Sequence, residues 1–141
     1  QHVHGHAFVL DLGTALARCA RPDPGSPVKE NQMAHQQYQS GISACDDCAA
    51  ACYHCATACL NESEVAQLAD CIKLDLDCAA FCRLASGAMA RGSGQTKALC
   101  SSCANICEAC AAECEKHPHE HCKECALACR RCTQECRSMA Q

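Results

Sequence analysis

Cysteines recur at every third or fourth position in three stretches of this sequence. One stretch reads CKECALACRRCTQEC and runs from Cys122 to Cys136. Thiols can form disulfides, act in redox catalysis or bind soft metal ions. The positions that the thiols occupy in the fold therefore decide among these chemistries.

The spacings of three and four residues alternate, so that the pattern repeats every seven residues. Such a repeat is typical of one face of a helix packed in a bundle, whereas a strand would need even spacings. We call the three stretches the cysteine ladders, and they consist of Cys45, Cys48, Cys52, Cys55 and Cys59, of Cys100, Cys103, Cys107, Cys110 and Cys114, and of Cys122, Cys125, Cys129, Cys132 and Cys136.

The composition makes the thiols part of the hydrophobic core. The chain has 141 residues, a length sufficient for one domain with a buried core. Its formal net charge is -4, and it contains 19 cysteines. Neutral thiols behave as small hydrophobes and can replace the scarce large aliphatic residues. With no Trp, two Tyr, two Phe and no basic patch, we expect no nucleic-acid partner. No apolar run is long enough to cross a membrane, so we expect no membrane partner either.

Residues 1–32 differ from the rest and are interpreted as an N-terminal extension or linker. The stretch AFVLDLGTALARCA could form a short helix and is a poor signal peptide, because Asp11 interrupts its apolar part. The prolines and glycine of ARPDPGSPVKEN indicate a linker. HVHGH is more typical of a solvated tail or tag remnant than of a metal site. We therefore expect a cytoplasmic protein, with export as the alternative.

Residues 33–141 are predicted to form one all-α domain, an antiparallel up-down-up-down four-helix bundle with a Cys-lined core. The first helix is expected to end near Leu60, and NESE supplies a stop and a new N-cap at Asn61 or Ser63. RGSGQ ends the second helix near residue 90. HPHEH separates the third helix from the fourth, with Pro118 suited to a first helical turn. Short connections force neighbouring helices to be antiparallel.

This topology groups the cysteines at two ends of the bundle. One end is expected to hold Cys59, Cys71, Cys114, Cys122, His117, His119 and His121. The other end is expected to hold Cys45, Cys82, Cys100 and Cys136, near Met89 and Met139. The alternative interpretation of HPHEH is a polar turn with solvated histidines.

The second helix departs from the cysteine ladders. Its predicted inward positions are Leu68, Cys71, Asp75, Cys78, Cys82, Ala85 and Met89. A buried Asp75 must be hydrogen-bonded, protonated or metal-bound, because an unpaired carboxylate is costly in a dry core. A small change in helical phase would instead leave Asp75 on the surface, and both interpretations stay open.

The helical arrangement argues against several uses of the thiols. Cysteines four apart on a regular helix rarely satisfy disulfide geometry. The Cys-x-x-Cys pairs lie in helix interiors, unlike a thioredoxin motif at a helix N-terminus. Structural zinc sites use isolated sets of four ligands, and the ferredoxin spacing is absent. Zinc binding and thiol redox chemistry remain the alternative functions.

Copper(I) matches the pattern best. It is a soft ion that prefers thiolates and accepts two or three of them, so a Cys-x-x-x-Cys pair can hold an ion within one helix. Bridging sulfurs would allow on the order of one ion per thiol in a continuous lining. We therefore expect Cu(I), with multiple ions per chain, bound by the 18 cysteines other than Cys19, with Asp75 as a further candidate ligand.

The sequence also resembles a known family. The segment DCIKLDLDCAAFCRLA, the run CSSCANICEACAAECEKHPHEHCKECALACRRCTQECRSMA and the first ladder are similar to the bacterial cytosolic copper storage proteins, over residues 35–140. This resemblance implies a Cys-rich four-helix bundle that stores Cu(I) for sequestration, detoxification or supply, without catalysis. It also implies a homotetramer and a copper entrance at His117, His119 and His121. Exported relatives carry a twin-arginine signal, and none is visible. Copper donors or acceptors and a role for Cys19 stay unassigned.

Overall fold

The computed structural model describes residues 27–141, and these residues form five α-helices and one short 3-10 helix. Four of the α-helices are long enough to span a bundle, and no strand occurs in this range. The elements in chain order are α1 (Pro27–Gln37), α2 (Gln39–Leu60), the 3-10 helix Val65–Leu68, α3 (Ala69–Ala90), α4 (Thr96–Cys114) and α5 (Glu120–Met139). The predicted all-α class and the four bundle helices are confirmed.

Contacts between helices show that each runs antiparallel to its neighbours. The start of α2 meets the end of α5 at Cys45 and Cys136, whose Sγ atoms are 3.5 Å apart. The start of α3 likewise meets the end of α4, where the Cys71 and Cys114 Sγ atoms are 3.6 Å apart. Helix α2 packs on α3 and α5, and α4 packs on the same two helices. The four helices therefore enclose one axis, as short connections require.

The turn between α3 and α4 shows how a glycine ends a helix. Gly92 has φ 62°, in the left-handed region that favours glycine. Its N–H donates to the carbonyl of Met89 (3.2 Å), and Ser93 N–H donates to that of Ala88 (2.9 Å). This pair of bonds is a Schellman motif, which satisfies the last carbonyls of α3. The glycine-rich break that RGSGQ predicts is thus confirmed.

Two predicted helix starts differ from the structure. The segment after α2 does not begin a helix at Asn61 or Ser63, because a turn and the 3-10 helix precede Ala69. Pro118 lies outside the helix, since α5 begins at Glu120 after His119 in an extended conformation (φ -67°, ψ 140°). The connections between α2 and α3 and between α4 and α5 are therefore longer than the sequence predicts. The added turns provide the polar residues that surround the histidines.

Helix α1 begins within the stretch expected to be a linker. Pro27 occupies its first position, where the missing N–H of proline costs no hydrogen bond. The chain turns at Tyr38 before α2 continues, and α1 packs on α2 and α3. The expectations for Cys19, HVHGH and the possible short helix fall on residues 1–26, outside the described residues.

Alanines fill the spaces between the thiols of the core. The buried set includes Ala49, Ala79, Ala104 and Ala111, each with at most 1% of its surface exposed. Such small side chains allow the helices to approach closely around sulfur. Opposite charges join helices on the outside, as in the pairs Arg131–Asp47 (2.9 Å) and Arg130–Glu115 (2.8 Å). Exposed pairs of this kind each contribute little stability. No helix within residues 27–141 is both long and apolar enough to cross a membrane.

Candidate metal centre

Every cysteine from Cys45 to Cys136 lies inside the bundle, with 0% of its surface exposed. The three ladders provide fifteen of these thiols, one ladder each from α2, α4 and α5. Helix α3 provides Cys71, Cys78 and Cys82. The heptad spacing puts each set on the face that packs against the other helices. The sulfurs therefore form one lining along the bundle axis.

At the end of the bundle that contains Met89 and Met139, thiols of all four long helices meet. Cys132 Sγ lies 3.6 Å from that of Cys45 and 3.7 Å from that of Cys82. Cys82 Sγ is also 3.6 Å from the sulfur of Cys107 and 3.8 Å from that of Cys103. Each thiol thus has neighbours on other helices at least as close as those on its own.

The lining continues through the middle of the bundle. The Cys78 and Cys107 sulfurs are 3.5 Å apart, and Cys48 Sγ lies 3.6 Å from that of Cys129. Cys125 Sγ lies 3.7 Å from that of Cys52. Because the close sulfur contacts continue from one pair to the next, the thiols of the described core are not divided into separate sets of four.

The thiols within residues 27–141 are free rather than disulfide-bonded. The sulfur separations quoted above far exceed a disulfide bond of about 2.05 Å. Burial, followed by the nearby Cys71, raises the pKa of Cys59 to about 11. Burial is also the main cause that raises the pKa of Cys122. Thiols with such raised pKa values are neutral at pH 7 and can pack as small hydrophobes.

Several groups of four sulfurs have the geometry of a metal site. In each group the sulfur atoms all lie within 4.8 Å of one another. These groups include Cys45/Cys82/Cys103/Cys132, Cys48/Cys52/Cys78/Cys129, Cys48/Cys78/Cys82/Cys107, Cys52/Cys110/Cys125/Cys129 and Cys55/Cys59/Cys71/Cys122. Cys48 belongs to two of them, and so do other members. A shared sulfur can bridge two soft ions, so the arrangement favours clusters over isolated sites.

Asp75 is the one carboxylate inside the lining among the described residues, and it is fully buried. Its Oδ1 accepts hydrogen bonds from the thiols of Cys110 (3.2 Å) and Cys125 (3.3 Å). Cys71 donates to Oδ2 at 3.8 Å. Burial, with the nearby Cys125 and Cys71, raises the pKa of Asp75 to about 8. Of the two positions left open for Asp75, the structure shows the inward one, where its oxygens accept hydrogen bonds from thiols of α3, α4 and α5.

The three histidines of the HPHEH segment lie at the expected end but do not share one role. His121 Nδ1 lies 3.5 Å from the sulfurs of both Cys55 and Cys122. His119 stacks on His121, with ring centroids 5.2 Å apart and an angle of 4° between the planes. His117 Nε2 instead lies 3.1 Å from Glu113 Oε1. His121 alone of the three reaches the thiols of the described core.

A cleft opens beside these histidines. Its volume is about 230 Å³, and it is lined by Glu64, Gln67, Leu68, His117, Pro118 and His119. His119, which lines the cleft, stacks on His121, and His121 contacts the sulfurs of Cys55 and Cys122. The cleft is therefore two imidazole rings away from the buried thiols.

Thioethers close the opposite end. Met89 is fully buried and packs with Met139 over Gly41. A Cβ atom added to Gly41 would come within 2.8 Å of Met89 Sδ, so a larger residue there would displace the methionine side chains. The two ends thus differ in polarity, as the positions of Met89, Met139 and the histidines predict.

Sequence reasoning missed one residue of the histidine end, Glu62. It is part of NESE, which the sequence analysis treats as a helix stop. Glu62 Oε1 lies 2.9 Å from His121 Nε2, although the two residues are 59 positions apart. No local spacing indicates a contact between segments so distant in the chain.

Comparisons with known proteins agree with this geometry. A curated relative from Bacillus subtilis (strain 168), described as an uncharacterized cysteine-rich protein YhjQ, is 52% identical over 106 residues, covering 74% of this chain and 98% of the relative. The solved structure of Cu(I)-bound copper storage protein BsCsp3 is 51% identical with a TM-score of 0.71, covering 73% of this chain and 97% of that one.

A third similar protein comes from Streptomyces lividans. It is a cytosolic copper storage protein described during copper loading, with five coppers. It is 40% identical with a TM-score of 0.73, and the match covers 77% of this chain and 96% of that one. The family model for copper storage proteins, Csp, matches residues 34–141. The chain therefore belongs to the Csp family of copper storage proteins.

Proposed function

We propose that the protein stores Cu(I), with multiple ions per chain held by the cysteines that line its bundle. The continuous lining is the observation that carries this proposal. Eighteen buried thiols in overlapping groups supply far more soft donors than a structural zinc site uses. Capacity of this kind is of use to a store rather than to a single catalytic centre.

The relatives support copper as the stored ion. BsCsp3 is described with Cu(I) bound, and the Streptomyces lividans protein with five coppers. The family model covers nearly all of the described residues. Because this chain has a thiol lining of the same kind as its family implies, we carry the Cu(I) ligand over to it.

The ligands in this proposal are the 18 buried cysteines, with Asp75 as an oxygen ligand. The contacts of Asp75 Oδ1 with the thiols of Cys110 and Cys125 support that role. Cu(I) prefers thiolates, so a bound ion would displace thiol protons and be held mainly by sulfur.

Copper would enter at the histidine end. The flanks of the bundle are closed by packed helices, and the opposite end is closed by Met89 and Met139. His119 lines the polar cleft and stacks on His121, which contacts the thiols of Cys55 and Cys122. Neutral imidazole binds copper, and this chemistry supports a role for His119 and His121 in passing ions inward.

The remaining expectations are part of the same proposal. We infer a non-catalytic, cytoplasmic homotetramer, with residues 33–141 as the copper-binding domain and residues 1–32 as an extension. The exposed side chains of Leu76 and Leu84 are available to an interface. Ile106 is partly buried against the core and contributes less to such a surface.

A Cu(I) titration tests the storage function. The reduced protein would be loaded under a competing Cu(I) chelator, and the bound equivalents counted. A store takes up many equivalents per chain. Saturation at one or two equivalents would contradict storage and favour a structural metal site. Size measurement by light scattering on the same sample checks the tetramer.

A further inference from the structure

Glu62 connects the two stacked histidines. It follows the end of α2, where its backbone N–H donates to the carbonyl of Cys59 at 3.2 Å. Its Oε1 lies 2.9 Å from His121 Nε2 and 3.4 Å from His119 Nδ1. One carboxylate oxygen therefore reaches both imidazole rings.

This contact determines which nitrogen of His121 carries the proton. A carboxylate accepts hydrogen bonds, so the Nε2 atom next to Glu62 must be the N–H donor. In a neutral imidazole the other nitrogen then has a free lone pair. That nitrogen is Nδ1, which lies 3.5 Å from Cys55 and Cys122 and 3.9 Å from Cys59.

We propose that Glu62 is a positioning residue for copper uptake, which holds His121 with Nε2 protonated and Nδ1 free to bind Cu(I). The inference rests on the proposed storage function and identifies how its entrance works. Carboxylates that accept the second N–H of a metal-binding histidine are known to fix its tautomer and ring orientation. Here the fixed ring directs its lone pair at three thiols of the lining.

The transfer step follows from this placement. A Cu(I) ion on Nδ1 exchanges its bond to nitrogen for a bond to the sulfur of Cys55, Cys59 or Cys122. The ion stays Cu(I), and the thiol proton leaves to solvent. Glu62 keeps its hydrogen bond to Nε2 throughout, so the ring is ready for the next ion.

A neighbouring carboxylate provides a matched control. Glu64 lies 4.0 Å from His119 Nε2 and has no contact with His121 among the described ion pairs. Removing Glu64 deletes the same charge at the same end of the bundle. A general attraction of cations by negative charge would depend on both residues, whereas positioning depends on Glu62.

The experiment compares Glu62→Ala, Glu62→Gln and Glu64→Ala with the parent protein. Two properties are measured: the His121 tautomer in the reduced apo protein, by ¹⁵N NMR, and the rate of Cu(I) uptake from a chelator complex, by stopped flow. In Glu62→Ala we expect a mixture of tautomers and uptake slowed roughly 10-fold, with final capacity unchanged. Glu62→Gln should resemble the parent, because its amide oxygen accepts the same hydrogen bond.

Three results would overturn the inference. They are a parent-like tautomer and rate in Glu62→Ala, equal slowing in Glu62→Gln and Glu62→Ala, and equal slowing in Glu64→Ala. The last two would assign the effect to charge. A parent protein that binds one or two ions would instead contradict storage itself, so the two failures are distinguishable.

Discussion

Cys45 and Cys136 are 91 positions apart in the chain, and their sulfurs lie 3.5 Å from each other. Within single helices the pairs Cys55–Cys59 and Cys132–Cys136 are both separated by 3.9 Å. Sulfur groups that span helices are thus at least as compact as the Cys-x-x-x-Cys pairs expected to hold ions. Ions bound in the lining would therefore be shared by cysteines of different helices, and would link these helices, instead of being bound within one helix.

The reduced apo protein is expected to be folded and helical. Its thiols are buried and packed with alanines, and the buried side-chain N and O atoms of the described residues all have hydrogen-bond partners. A zinc finger needs its metal to fold, whereas the buried polar groups of this core have hydrogen-bond partners without a metal ion. Circular dichroism of the metal-free, reduced protein checks this, and a random-coil spectrum would contradict it.

Replacing Cys125 and Cys129 with Ala should lower Cu(I) capacity by a small increment, while the remaining sites still fill. The reason is that both thiols belong to overlapping groups with many other members. Bound equivalents under a competing chelator provide the measurement. Leu127→Ala, on the exposed face of the same helix, is the control and should keep the parent capacity. Complete loss of binding in the double variant would indicate a single cooperative cluster.

Replacing His119 and His121 with Ala should slow both the uptake of Cu(I) and its removal by a chelator. Final capacity should stay nearly unchanged, because the thiols are untouched. Stopped-flow traces of loading and unloading measure the two rates. His54→Ala is a matched control, since His54 is exposed on α2. Parent-like rates in the double variant would direct attention to the end with Met89 and Met139.

Asp75→Asn should flatten the pH dependence of apo stability. Burial raises the pKa of Asp75 from 3.8 to about 8, so the folded state keeps a proton that the unfolded state releases. Its contribution to stability is fully present below pH 3.8 and is lost as the pH rises toward 8, by at most about 1.4 kcal/mol per pH unit. Asp75→Asn has no titratable group at this position, so its free energy of unfolding should not show this decline with rising pH.

Urea unfolding under reducing conditions at pH 5.5 and pH 7.5 measures the effect. The free energy of unfolding should fall more between these values in the parent than in Asp75→Asn. Parallel changes in the two proteins would show that Asp75 is ionised in the folded state. Asp75→Ser, which also removes the titratable group, is a second variant for comparison.

The bundle could be predicted from sequence because cysteines at heptad spacing line most of its core. Each inward position predicted for α3, including Asp75 and Met89, is buried. The heptad pattern fixes both the helical state and the inward face, and short connections fix the topology. Even an unusual core therefore obeys ordinary helix packing.

The connections were less predictable. NESE contains several residues that favour a helix N-cap, but α3 begins only at Ala69. Pro118 is compatible with a first helical turn and also with the extended segment that it occupies. The partner of Glu62 lies on another helix, so the local sequence contains no signal for it. Such choices depend on how the ends of the bundle pack.

Asp75 is the only buried residue of ionisable acid or base type, apart from the cysteines, among the residues whose burial the structure describes. A Cu(I) ion and the thiol proton that it displaces carry the same charge. Exchange of one for the other therefore leaves the net charge of the interior unchanged, and repulsion does not accumulate as the lining fills. Empty, half-filled and full bundles would present the same electric field to their surroundings. A partner that distinguishes them would have to sense a property other than charge.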